Sequence, residues 1–477
     1  IFSPENKVNI FEEKDSTFSV QVFPSKSGDY IFIASNSGTS SEYRFLDAEN
    51  PYQKCKLVQA RVEGLEYSVE HAGNGFYILT NWQADNFRIM KANIDKPDMN
   101  HWTELIPHRP NVLIISMDPY KNYLVVTERK DALLKVNVVN LLDSSQQYID
   151  FGEDVYTALP SVNPEFNSDK FQYYYTSLTT PGTTYEYNFQ THKKQLLKQV
   201  EVVGNFDPNN YVTQRLWATA SDSTKIPISI VYRKGIKFNG KNPTLMYGYG
   251  AYGYSINPNF DSNLLSLLDR GFIYAIAHVR GGQELGRQWY EAGKLLNKKN
   301  TFTDFIACTE YLIKEHYTSP KYLVAQGGSA GGLLMGVVAN RRPDLYKAII
   351  AEVPFVDVLT TMQNPNLPLT TGEYDEWGNP KDSVYYYYIK SYSPYDNVKP
   401  QQYPNMLVLA SYNDTQVQYF EAAKWVAKLR ATKTDGNLLL LKTDMETGHG
   451  GASGRMNILK EQAFKYAFMF KVLGINN

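Results

Sequence analysis

The stretch KYLVAQGGSAGGLLMGVVANRRPDLY, residues 321–346, constrains this chain more than any other. A short apolar run leads into four glycines within six residues around Ser329, and a long apolar run follows. The pattern predicts strand, tight turn, helix. Within it, GGSAG fits Gly-x-Ser-x-Gly with Gly327, Ser329 and Gly331. A flexible turn needs glycine but no fixed spacing. A serine held at the apex of a strand-to-helix turn needs small residues two before and two after it, because strand and helix cross closely there. The spacing therefore points to a nucleophile elbow.

The rest of the C-terminal half supplies the fold that such an elbow requires. After GNFDPNNY a hairpin, RLWATASDSTKIPISIVYRKG, leads into alternating strands and helices. PTLMYGYG, FIYAIAHVR, KYLVAQ, KAIIAEVP, NMLVLASYND and NLLLLKTD read as strands. NLLSLLDRG, FTDFIACTEYLIKEHY, the run after Ser329, FEAAKWVAKLRATK and NILKEQAFKYAFMFKVLG read as helices. Such alternation implies a mostly parallel sheet covered on both faces.

The first 200 residues follow another rule. FSVQVFPSKSGDYIFIAS, YSVEHAGNGFYILTNWQ, VLIISMDPYKNYLVVTER and YTALPSVNPEFNSDKFQYYYTS share one shape: a β-prone run, a turn rich in Gly, Asp, Asn or Pro, and a second alternating run. The repeat of about 45 residues is the span of a four-stranded propeller blade. Evenly spaced strands would also suit a β-sandwich, but the period holds over four units without an inserted helix. The expected fold is thus a β-propeller portion of about four blades over 1–208, joined to an α/β-hydrolase domain over 209–477. The chain carries 37 tyrosines, which fits many exposed strands better than a helical bundle.

A serine nucleophile needs a base, and the base needs an orienting acid, in the chain order Ser, acid, His for this fold. One histidine follows Ser329: His449, in the glycine-rich METGHGGASGR. The acids after Ser329 that compete for the third place are Asp344, Asp357, Asp375, Asp382, Asp396, Asp414, Asp435 and Asp444. Asp414 directly follows the apolar strand NMLVLAS, and catalytic groups of parallel sheets collect at strand C-terminal ends. One oxyanion donor is expected to be the backbone N–H of Ala330, next after the nucleophile. The tyrosine-studded MYGYGAYGYS is the candidate for the second, although read alone it is a plain tight turn.

GGSAGGLLMGVVANRRPDLY, VPFVDVLTTM, LTTGEYDEWGNP, SYSPYDNV, QVQYFEAAKWVAKLR and LLLLKTDMETGHGGASGR together resemble the basic-residue-specific oligopeptidase B branch of the prolyl oligopeptidase family of serine peptidases. The resemblance is dense over 240–477 and rests on repeat pattern alone over the first 200 residues. It implies a seven-bladed propeller that restricts access to an α/β-hydrolase domain, short peptides as substrates, and a triad of Ser329, Asp414 and His449. It also implies Tyr249 as the second oxyanion donor, and Glu373 with Asp375 as the acids that receive an Arg or Lys side chain. A desolvated guanidinium requires such a carboxylate partner. Where the branch carries an acidic pair for a second basic residue, this chain has Asn257 and Asn259 in SINPNF, which bring no charge. The family is longer at the N-terminus, so this sequence is expected to be a piece of a longer chain.

Composition excludes several other classes. A formal net charge of −1 gives no reason to expect nucleic acid or an anionic membrane as partner. No apolar run approaches a membrane span, and IFSPENKVNIF is not a signal peptide. Two cysteines, Cys55 and Cys308, make no disulfide framework and suggest a cytoplasmic protein. No HExxH run or GxxxxGK[ST] loop is present, so neither metal nor other cofactor is expected. Monomer and dimer stay open. The rivals are a proline-specific or acylaminoacyl peptidase or an esterase on the same fold, which would not place carboxylates at Glu373 and Asp375, and a propeller-based binding protein with a vestigial hydrolase domain.

Overall fold

A computed structural model describes residues 9–475. Four four-stranded antiparallel sheets follow one another along the chain, over 19–59, 67–106, 113–148 and 156–199, each a meander with its strands in sequence order. Local chemistry sets the hairpins. In the third sheet Lys130 pairs with Leu133, and the intervening Asp131 and Ala132 both have positive φ, 53° and 60°. That is the two-residue turn whose twist matches antiparallel strands.

Each sheet packs face-on against the next. Phe32, Tyr43 and Phe45 of the first meet Tyr67, Phe76 and Trp102 of the second. Leu79 and Ile89 of the second meet Leu124 and Val126 of the third. Val136 and Val138 of the third meet Phe171, Tyr173 and Tyr187 of the fourth. A two-layer sandwich has one such interface, whereas this chain of faces has three. Tyrosines supply much of it: Tyr67, Tyr156, Tyr173 and Tyr187 are buried between sheets rather than carried on exposed strands.

The C-terminal region is built on one eight-stranded sheet. Its spatial order is Tyr211–Thr219, Lys225–Arg233, Ile273–Ala277, Thr244–Tyr247, Leu323–Gly328, Ala348–Glu352, Asn405–Ser411 and Leu439–Asp444. The first three run antiparallel to one another in turn, and all pairs from Ile273–Ala277 onward are parallel. Alternate residues of the central strands enter opposite cores: Leu323 and Ala325 on one face, Val324 on the other, and likewise Met406 and Val408 against Leu407 and Leu409. Burial on both faces is why these strands read as unbroken apolar runs. The helices Lys299–Lys314, Ala330–Arg341 and Tyr419–Thr432 cover one face, and Leu264–Leu268 and Arg455–Leu473 cover the other.

The fourth small sheet and the large sheet share an apolar contact, in which Val155 and Leu178 meet Val231, Leu268 and Ile276. Polar contacts join the two regions elsewhere. Arg287 Nη2 lies 3.2 Å from Glu66 Oε1, and Arg287 N donates to Asn86 Oδ1 at 2.7 Å. Among the described residues no helix is long and apolar enough to cross a membrane.

Candidate active site

Ser329 stands between the strand Leu323–Gly328 and the helix Ala330–Arg341, with φ 57° and ψ −119°. A positive φ at a non-glycine residue costs on the order of 1–3 kcal/mol and persists only where the surroundings enforce it. Here they do: Ser329 N donates to Glu352 O at 2.9 Å, and Ser329 O accepts from Gly332 N at 2.8 Å and Leu333 N at 3.1 Å. The glycines around it have separate reasons. A Cβ on Gly327 would lie 2.4 Å from Gly331 O, one on Gly331 would lie 2.6 Å from Gly248 O, and one on Gly332 would lie 2.5 Å from Pro354 Cα. Gly328 is different, for its nearest neighbour would be an ordinary 3.6 Å away. Ala330 opens the helix, so its N–H has no intrahelical partner.

Ser329 and His449 line a single cavity of about 620 Å³, together with Tyr249, Ala330, Tyr252, Glu352, Phe355 and Glu373. His449 Nδ1 lies 2.7 Å from Asp414 Oδ2. The other oxygen of that carboxylate accepts from Gln416 N at 2.8 Å and Val417 N at 2.9 Å, and the Asp414 side chain is wholly buried. A carboxylate at Nδ1 fixes the tautomer that carries its proton there and leaves Nε2 unprotonated. The structure gives no hydrogen bond between Ser329 and His449. Such bonds are often long before substrate binds. Among the other acids weighed from sequence, Asp357 pairs with Lys424, Asp344 with Arg342, Asp435 with Lys433, and Asp444 caps its own loop through Glu446 N and Thr447 N.

Tyr249 sits on the turn after Thr244–Tyr247. Burial pushes its hydroxyl up to about 12, while the neighbouring Ser329 side chain pulls the other way. The hydroxyl thus stays protonated at neutral pH and can donate a hydrogen bond into the cavity. Across from it, Glu373 Oε2 accepts from Tyr252 Oη and from Trp377 Nε1, each at 2.8 Å. Burial raises the Glu373 carboxyl, and the two donors oppose that shift. The second acid in the lining, Glu352, is already paired with Lys465 Nζ at 2.8 Å.

Three expected residues stand elsewhere. Asp375 is exposed and absent from the cavity wall, and its carboxylate reaches towards the turn at Gly38 of the first small sheet, 3.9 Å from where a side chain there would begin. Glu373 and Asp375 are two positions apart at the start of a helical turn, Tyr374–Trp377, and residues so spaced do not share a face. Asn257 and Asn259 do not line the cavity either. Asn257 Oδ1 accepts from Arg129 Nη2 of the third small sheet at 3.0 Å, and Asn259 is exposed.

Several site residues escaped the sequence reading. Glu376 and Trp377 do not line the cavity but bond to Tyr252 and Glu373, which do, and Lys298 bonds to the carbonyl of Gly250. Four of its lining residues, Tyr252, Ser329, Val353 and Leu369, have positive φ, of 59°, 57°, 38° and 67°. Glu421 is fully buried and accepts from Val356 N and Asp357 N at 2.9 Å each and from Thr361 Oγ1 at 2.6 Å, fixing the segment and short helix Val358–Met362 that carry Phe355 and Thr361 in the wall. Only Glu421 had a legible signal: it lies on the stripe of Trp425 and Leu429, where an acid has no place unless its hydrogen bonds are met.

Family profiles agree with this architecture. The N-terminal β-propeller domain of prolyl oligopeptidase matches residues 3–200, and the prolyl oligopeptidase family profile matches residues 258–476. Protease 2 of Moraxella lacunata is 44% identical over 466 residues, covering 98% of this chain and 67% of that protein. The chain belongs to the prolyl oligopeptidase family. Another member, dipeptidyl aminopeptidase BI of Pseudoxanthomonas mexicana, is 46% identical over 468 residues, covering 98% of this chain and 64% of its own length. The closed form of oligopeptidase B from Trypanosoma brucei, with covalently bound antipain, superposes on this prolyl oligopeptidase family chain with a TM-score of 0.94 at 42% identity, covering 100% of this chain and 69% of that one. The chain thus spans about two thirds of the length of these relatives.

Proposed function

We propose that this protein is a serine oligopeptidase that hydrolyses short peptides on the carboxyl side of Arg or Lys. One observation carries the reading: a strained serine, a histidine backed by a buried aspartate, and a half-buried glutamate without a cation partner among the described residues all meet around one cavity. In this proposal His449 Nε2 removes the Ser329 hydroxyl proton as Oγ attacks the scissile carbonyl carbon. The imidazolium formed is stabilised by Asp414 and then delivers that proton to the leaving amine. The Tyr249 hydroxyl and the Ala330 N–H receive the tetrahedral oxyanion. Water, deprotonated by His449, cleaves the acyl-enzyme and restores the serine.

Glu373 is proposed to bind the P1 cation alone, with Asp375 outside the cavity towards the small sheets and Asn257 held by Arg129. The small sheets are read as blades of a propeller that the longer relatives share, with the boundary to the catalytic domain at 208–209. A cytoplasmic setting belongs to the same proposal and rests on the unpaired Cys55 and Cys308. The test is kcat/KM on Arg, Lys, Pro and acetyl-Ala reporter peptides, with Ser329→Ala beside wild type. The expected result is cleavage of Arg and Lys reporters that disappears in Ser329→Ala. Preferred cleavage of Pro or acetyl-Ala reporters would overturn the specificity, and activity retained in Ser329→Ala would overturn the mechanism.

A further inference from the structure

Lys298 is a fully buried cation that no step above uses. It lies between the short turn Leu295–Asn297 and the helix Lys299–Lys314, and it does not line the cavity. Its Nζ donates to Gly250 O at 2.5 Å, lies 3.8 Å from Glu376 Oε1, and sits 4.7 Å from the Trp377 ring centre. Glu376 is buried too. It accepts from Tyr252 N at 3.1 Å through Oε1 and from Tyr290 Oη at 2.6 Å through Oε2.

The two charges therefore grip one turn at two points, the carbonyl of Gly250 and the N–H of Tyr252. Those points lie one and three residues after Tyr249 in the same turn. The same carboxylate belongs to the helical turn that carries Trp377 and follows Glu373, and Tyr252 Oη and Trp377 Nε1 are the two donors that seat Glu373. A buried charge is costly unless it is paired, so a lysine and a glutamate at this place require a reason beyond filling space. Side chains are excluded at the gripped position itself: Gly250 has φ 76°, and a Cβ there would lie 2.4 Å from Thr301 Cγ2.

We propose that Lys298 and Glu376 are a positioning pair that keeps the Tyr249 turn and the Glu373 helix in one register across the cavity. Neither touches substrate. Lys298 acts through Tyr249, and Glu376 acts through Tyr252 on both Tyr249 and Glu373. The pair thus couples the group that receives the oxyanion to the group that receives the P1 cation. This rests on the proposed roles of those two residues.

The experiment is a double-mutant cycle on the full chain. Lys298→Met keeps the length of the side chain and removes the charge, and Glu376→Gln keeps the shape and serves where Lys298→Met does not fold. Reactive serines are counted by fluorophosphonate titration, so that kcat refers to folded sites only. With an Arg reporter, Lys298→Met is expected to lower kcat per titrated site about 10- to 100-fold, the cost of a small displacement of a catalytic group. In a Tyr249→Phe background the same change is expected to cost less than about threefold, because the group it positions is gone. It is also expected to lower the preference for an Arg over a citrulline reporter at least about threefold, since the seat of Glu373 shifts with the turn.

Additive losses together with an unchanged Arg-to-citrulline ratio would overturn the pair, since a merely structural role predicts both. A silent Tyr249→Phe would remove the oxyanion role proposed for Tyr249, and the pair would then stand or fall on the ratio alone. Activity retained in Ser329→Ala would instead sink the proposed function itself.

Discussion

Replacing Glu373 by Gln isolates the charge of the proposed P1 site. Glu373 Oε2 takes two hydrogen bonds, from Tyr252 Oη and Trp377 Nε1, and a Gln carbonyl oxygen can take both. The free protein therefore keeps its donors satisfied, and the cost falls on a cationic substrate. Breaking a desolvated charge pair at an interface costs about 2–5 kcal/mol. Glu373 is half-buried in an open cavity, which places the loss near the lower end, about 2–3 kcal/mol. At about 1.4 kcal/mol per tenfold, kcat/KM for an Arg reporter should fall about 30- to 150-fold. A citrulline reporter, equal in shape but neutral, should change less than about threefold. Asp375→Asn, which removes an exposed charge outside the cavity, should leave both reporters within about twofold of wild type. The assay is initial-rate fluorescence with each reporter, normalised to fluorophosphonate-titrated sites. Equal losses on Arg and citrulline would refute the reasoning, because the effect would then be one of shape. A large loss from Asp375→Asn confined to Arg would return the site to two acids.

Three further outcomes follow from the structure. Gly327→Ala brings a Cβ to 2.4 Å from a backbone oxygen and should cost about 3 kcal/mol of stability with loss of fluorophosphonate labelling, whereas Gly328→Ala should stay within about 0.5 kcal/mol in urea melts. Burial raises the Glu421 carboxyl from 4.5 to about 7, so between those values the folded protein holds a proton that the unfolded chain has released. Stability should therefore fall as pH rises through that window and level off above it, by up to about 3 kcal/mol relative to Glu421→Gln, as paired urea melts at pH 5 and pH 8 would register. Leu369 is exposed at φ 67°, and Leu369→Gly should raise stability by about 1 kcal/mol in the same melts.

What could be read from sequence divides along a physical line. The strand-turn-helix at Ser329 was legible because backbone crossing dictates glycine at fixed offsets, and three of the four glycines indeed face backbone. The approach of His449 and Asp414 was legible from chain order and strand ends. The direction of a side chain was not: Glu373 and Asp375 look equivalent in TGEYDEWG, and only the helical turn separates them. Contacts between distant segments were equally hidden. Nothing in NKKN announces that Lys298 reaches Gly250, and nothing in SINPNF announces that Asn257 is already held by Arg129. Tyrosine content pointed to strands but not to their interfaces, since a phenol suits a buried face as well as a wet one.

The four cavity residues with positive φ, Tyr252, Ser329, Val353 and Leu369, also bear on heat. The backbone N–H groups of Ser329, Val353 and Tyr252 are tied to Glu352 O, Leu409 O and Glu376 Oε1, and these ties are expected to loosen before the large sheet parts. Warming should consequently abolish fluorophosphonate labelling of Ser329 while the secondary structure is still intact. The temperature at which labelling of Ser329 is lost should lie below the melting temperature of the backbone, and labelling should return on cooling.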